Sequence, residues 1–121
     1  MPRVLVADDD ESLRRVLRKL LERAGYEVEE AGEGSAILEA YRTRRPDVVL
    51  TDLYMPGTDG VEALIRLRSE FPGARVIAMS GGGYLAQDEV LALAERLGAQ
   101  RTLRKPIERG ELLQALEEVL G

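Results

Sequence analysis

Histidine and cysteine are both missing from this 121-residue chain. Without imidazole there is no near-neutral base and no nitrogen ligand for a metal, so any chemistry must run on carboxylates, hydroxyls and lysine. Nor can the chain itself carry a phosphohistidine. Without cysteine there are neither disulfides nor thiolate metal sites, which permits the cytoplasm without specifying it. No apolar run approaches the length needed to span a bilayer, and no signal pattern precedes the first expected strand, so a soluble, cytoplasmic protein with no membrane partner is expected. An excess of basic residues is also lacking: the net charge is -5. Counterion release requires clustered Lys and Arg, so nucleic acid is not an expected partner. The basic residues are instead spread along helices beside acids, as on a solvated surface.

What is present fits one domain over residues 1–121, with 45% hydrophobic and 32% charged residues. That length closes a hydrophobic core without staples. Strand and helix signals alternate throughout. Residues 3–7 read as a buried strand. Leu13, Val16, Leu17, Leu20 and Leu21 then repeat at helical spacing, with Asp10 as N-cap and Gly25 closing the helix. Residues 26–31 read as an edge strand because of Glu27, Glu29 and Glu30. A helix over about 35–43 and a strand over 47–51 follow. After a turn-rich segment, Val61, Leu64 and Ile65 mark the third helix, which Pro72 and Gly73 end. Residues 75–79 form a fourth strand, followed by a glycine-rich loop over 80–84. Val90, Leu93, Ala94 and Leu97 make the face of a fourth helix, residues 101–104 a short strand, and Leu112, Ala115, Leu116 and Val119 the face of the last helix.

Such alternation implies an α/β fold, a five-stranded parallel sheet flanked by five helices, because parallel strands need right-handed crossovers. In these sheets function collects at the carboxyl ends of the strands. Four apolar runs end there in reactive side chains: Asp8 and Asp9, Asp52, Ser80, and Lys105 before Pro106. Each has an ordinary explanation. Asp10 is accounted for as a helix cap, and Asp52 is compatible with a turn acid. A loop serine can bond its own backbone, and Lys105 can be a surface lysine. Three consecutive aspartates exceed what a cap requires, however, and packed carboxylates are held together most readily by a hard cation such as Mg²⁺. Asp52 beside them is either a third ligand or a nucleophile toward phosphorus. The Ser80 hydroxyl can donate to a phosphoryl oxygen, and Lys105 can neutralise carboxylates or phosphoryl oxygens. Five such residues, in order at four strand ends, point to a divalent cation and a phosphoryl group.

The segments Val-Leu-Val-Ala-Asp-Asp-Asp-Glu-Ser-Leu-Arg from Val4, Asp52-Leu-Tyr-Met-Pro-Gly-Thr-Asp-Gly60, Val-Ile-Ala-Met-Ser80-Gly and Lys105-Pro106 resemble the receiver domains of bacterial two-component response regulators. The resemblance covers the whole chain. It implies a flavodoxin-like three-layer sandwich with sheet order 2-1-3-4-5 and Asp52 as phosphoacceptor. It also implies Mg²⁺ on Asp8, Asp9, Asp52 and the Tyr54 backbone carbonyl, with Ser80 and Lys105 contacting the phosphoryl group and a cis Lys105–Pro106 bond. The implied partners are a sensor histidine kinase or phosphotransfer protein and a downstream output protein or C-terminal output domain, which the chain itself does not display. The surface formed by the fourth helix, the strand over 101–104 and the last helix is the implied output face. One position departs from the pattern. Receivers often carry Tyr or Phe three residues before the lysine, and here that residue is Thr102.

Such a chain is not expected to be a turnover enzyme, since it would assist only its own modification. Competing readings are an aspartyl-nucleophile phosphohydrolase, a flavodoxin-like cofactor carrier and a receiver-like interaction module that is never phosphorylated. The first is disfavoured because Tyr54 stands where a second carboxylate would act as acid and base. The second is disfavoured by aspartates where that fold would bind phosphate.

Overall fold

Three apolar runs, β1 (Arg3–Ala7), β3 (Val48–Asp52) and β4 (Val76–Ser80), lie side by side in the computed structural model of the chain, covered on both faces. The structure describes residues 1–53, 60–81 and 87–121, except for the side chains of residues 87, 88, 90 and 91. The edges are β2 (Glu27–Ala31) and β5 (Arg101–Arg104), giving a parallel sheet of order β2-β1-β3-β4-β5, the order implied by the family resemblance. The helices are α1 (Glu11–Arg23), α2 (Gly34–Arg44), α3 (Gly60–Glu70), α4 (Gln87–Arg96) and α5 (Arg109–Leu120).

The pleat sends alternate strand residues to opposite faces. Leu5, Ala7, Val49, Val76 and Ala78 therefore pack with Ile37, Leu38 and Tyr41 of α2, Leu64 and Leu67 of α3 and Ala94 of α4. Val4, Val6, Val48, Leu50, Ile77 and Met79 pack on the other face with Leu17 and Leu21 of α1 and Leu112, Ala115 and Leu116 of α5. Each fully buried Leu or Ile contributes about 1.5–3 kcal/mol relative to leaving it exposed.

Several helix-face expectations need correction. Val16, Ile65 and Leu93 are 60%, 48% and 42% exposed. Each helix touches the sheet along a stripe narrower than its apolar spacing, and Leu17, Leu64 and Ala94 occupy the contact instead. The ends of β3 and β4 also shift by one residue. Asp52 and Ser80 are the last residues of their strands, because the ladder continues beyond them: the Leu53 amide donates to the Met79 carbonyl at 3.1 Å, and the Lys105 amide to the Ser80 carbonyl at 2.8 Å.

The start of α1 follows the expected chemistry. Asp10 is extended, and its carboxylate accepts from the Leu13 amide at 3.2 Å. At the other end Ala24 is the cap, and Gly25 takes φ +97°, a conformation glycine adopts without a Cβ penalty. Among the described residues no helix is long and apolar enough to cross a membrane.

Candidate functional site

Register alone brings the strand ends together. Ala7 is opposite Thr51, Asp52 is opposite Met79, and Ser80 is opposite Arg104. Asp8, which follows Ala7, is level with Asp52, while Ser80 stands one residue beyond that row and Lys105 two, so the four residues are staggered along the carboxyl end of the sheet. Asp8, Asp52 and Ser80 are buried, and Asp9 next to them is exposed. The Lys105 side chain is 21% exposed, so it is not the surface lysine of the ordinary explanation.

The Lys105 ammonium bridges the two buried acids. Its Nζ donates to Asp8 Oδ2 at 2.6 Å and to Asp52 Oδ2 at 3.0 Å. Burial alone would lower the lysine pKa, but hydrogen bonds to Asp8 and Asp52 and their negative charge outweigh it, leaving the group above its ordinary value. Lys105 is therefore a fixed cation at neutral pH. The Lys105–Pro106 peptide is cis, as the family resemblance implies.

Asp8 is held on several sides. Its Oδ1 accepts from the Asp10 amide at 2.9 Å, and its own amide donates to the Ala31 carbonyl at 3.1 Å. Carboxylate oxygens of Asp8, Asp9 and Asp52 all lie within 4.8 Å of one another. A small hard cation with ligands at about 2.0–2.1 Å needs opposite donors about 4.1 Å apart, so this oxygen donor set fits one such ion. Tyr54, expected to supply a backbone carbonyl, lies outside the described residues, as does most of the glycine-rich loop after Ser80.

Three contacts of the site are not evident from the sequence, although Gly60 and Gly81 lie in segments it marks. A Cβ on Gly60 would overlap the Asp52 carbonyl, so the first turn of α3 sits directly against the end of β3. A Cβ on Gly81 would overlap the Lys105 side chain, so the chain after Ser80 passes against the lysine stem. Arg14 of α1 donates from Nη1 to the Asp8 carbonyl at 2.6 Å and from Nε to Glu30 of β2 at 3.1 Å. Burial pushes the Glu30 carboxyl upward, yet the hydrogen bonds from Arg18 and Arg14 bring it below its ordinary value. Gly60 stood in the motif and could have been found there; Arg14 had no local signal.

Thr102 lies half-buried on the edge strand β5. Its Oγ1 donates to Glu95 of α4 at 3.4 Å. A cavity of about 540 Å³ lies between Ala92 and Glu95 of α4, Thr102 and Arg104 of β5, and Lys105. Chemically, the arrangement can hold a divalent ion on three carboxylates and present one of them to an electrophile beside a fixed ammonium.

Comparison with known proteins agrees with this architecture. The family model described as the response regulator receiver domain matches residues 4–117. The chain is 33% identical to the chemotaxis protein CheY of Thermotoga maritima over 97% of this chain and 96% of that protein. It is 35% identical to the DNA-binding transcriptional regulator NtrC of Azospirillum brasilense over 98% of this chain but 24% of that protein. Among solved structures, a response regulator receiver domain protein from Clostridium thermocellum superposes with a TM-score of 0.92 at 30% identity, covering 99% of this chain and 94% of the other.

Proposed function

Because the chain belongs to the response regulator receiver family, we propose that it is a phospho-accepting switch of a two-component system, with Asp52 as the acceptor. The observation that supports this most directly is the Lys105 ammonium held at 2.6 and 3.0 Å from two buried aspartates whose oxygens cluster with that of Asp9. Residues 1–121 act as one receiver unit in this reading, in the cytoplasm and without a direct nucleic-acid or membrane partner.

The donor is a phosphohistidine of a sensor histidine kinase or phosphotransfer protein, since residues 1–121 contain no histidine. A carboxylate oxygen of Asp52 forms a bond to phosphorus while the donor's N–P bond breaks. The electron pair of that bond stays on the imidazole nitrogen, which takes up a proton, and an acyl phosphate remains on Asp52. Asp8, Asp9, Asp52 and the Tyr54 backbone carbonyl would hold Mg²⁺, which when bound supplies neutralisation of the carboxylates and orientation of the phosphoryl oxygens. Lys105 turns from the carboxylates to a phosphoryl oxygen, and the Ser80 hydroxyl donates to another. Both motions bear on β4, β5 and the adjoining α4, so occupancy of Asp52 is read at the α4-β5-α5 surface by a downstream protein or a C-terminal output domain. The chain assists its own phosphorylation and dephosphorylation but turns over no other substrate.

Backbone resonances recorded with Mg²⁺ and beryllofluoride test this reading. Signals of Asp52, Ser80 and Lys105 are expected to shift together in the wild type and to stay in place in Asp52→Asn. A wild-type spectrum unchanged by both additions, in a folded protein, would overturn it.

A further inference from the structure

Asp9 is the exposed member of the acid cluster, and its carboxylate has no hydrogen-bond or ion-pair partner among the described residues. Its place beside Asp8 and Asp52 is therefore set by the backbone that precedes it. That backbone is gripped from both sides. The Asp8 amide donates to Ala31 of β2 at 3.1 Å, and the Asp8 carbonyl, part of the peptide leading into Asp9, accepts from Arg14 Nη1 at 2.6 Å. The Arg14 side chain is 17% exposed and is oriented by Glu30, the neighbour of Ala31 on β2, at 3.1 Å from Nε. Glu30 is in turn held by Arg18 Nη1 at 2.9 Å.

We propose that Arg14 is a positioning residue for the cation site: through the Asp8 carbonyl it fixes the Asp8–Asp9 peptide, and so the Asp9 carboxylate, with Glu30 orienting the guanidinium. The inference rests on the reading of Asp8, Asp9 and Asp52 as a metal site. Arginine suits the task because Nε and Nη1 lie in one rigid plane and reach two partners at once, whereas a lysine ammonium on a flexible stem does not fix such a pair. Groups that orient metal ligands without touching the ion typically change affinity 10–100-fold when removed. An orienting group that acts through a backbone carbonyl should fall near the lower end of that range.

Mg²⁺ affinity of the full chain, measured by titration calorimetry, tests the proposal together with the ion-free Asp8 carbonyl and Asp9 amide chemical shifts. Arg14→Ala is expected to weaken Mg²⁺ about 10-fold and to move both shifts. Arg14→Lys should recover part of the affinity, and Glu30→Gln should weaken it less than Arg14→Ala. Leu67→Ala, buried in the core under α3, lowers the urea midpoint but should leave the Mg²⁺ constant as in the wild type. That contrast separates positioning from a general loss of stability. Arg14→Ala and Arg14→Lys with wild-type Mg²⁺ constants and unmoved shifts, while Asp9→Ala loses binding, would overturn the proposal. A wild type that binds no Mg²⁺ would instead defeat the metal-site reading. In that case the shifts alone decide whether Arg14 fixes the peptide.

Discussion

The two ends of the sheet hold the same pocket in different ways. On the β2 side, Glu30, Arg14 and Arg18 form a charged lattice with contacts of 2.9 and 3.1 Å, continued at 2.6 Å to the Asp8 carbonyl. On the β5 side, the hydrogen bond from Thr102 to Glu95 is 3.4 Å long and a cavity opens beside it. Hydroxyl hydrogen bonds are ordinarily about 2.5–3.0 Å, so the second contact is weak. The proposed switch, which would both fix a cation and report a modification, is served by this asymmetry. Ligand placement depends on immobility, while a readout needs two arrangements close in energy. Thr102, at the position where receivers often carry an aromatic, lines that cavity.

The largest effect is expected at the bridge between the two sides. Lys105→Met removes the cation from between two buried aspartates, and urea unfolding in chelator should show a loss of about 2–4 kcal/mol, part of it restored by added Mg²⁺. A loss below about 0.5 kcal/mol would mean that the lysine is not what holds the acids together. Next comes the β2 lattice. Glu30→Gln should cost about 1–2 kcal/mol at neutral pH. Because the Glu30 pKa is lowered from 4.5, its stabilisation is present above that value and is lost as pH falls through the lower folded-state pKa. The gap between variant and wild type should therefore close in acid, and a gap constant with pH would refute the ion-pair account. The smallest effect belongs to the β5 side, where Thr102→Val should change stability by less than about 0.5 kcal/mol. A larger loss in urea unfolding would show that this side is pinned as firmly as the other.

Most of the fold was legible because its signals are local. Continuous apolar character marked β1, β3 and β4, acidic residues marked β2 as an edge, and Asp10 marked the start of α1. The site residues could be picked out for a related reason: each stands at a strand end, and a parallel sheet gathers its strand ends. What was not legible depends on contact between elements. Val16, Ile65 and Leu93 carry the right spacing but sit beside the contact stripe, which only the packed sheet defines. Arg14 and Glu30 are 16 residues apart, one on a helix and one on an edge strand, and no periodicity links them. The sequence pattern ends β3 and β4 one residue before Asp52 and Ser80 because polar residues resemble loop, whereas neighbouring strands keep their amides and carbonyls paired.

The central claim is that Asp52 takes a phosphoryl group in the pocket that Lys105 bridges. Intact mass of the wild type after incubation with Mg²⁺ and acetyl phosphate, a small phosphoryl donor standing in for the phosphohistidine, tests it directly. One added phosphoryl group, absent from Asp52→Asn and from a sample with chelator, is the predicted result; a folded wild type that gains no mass, or an Asp52→Asn variant that gains it equally, would contradict the account.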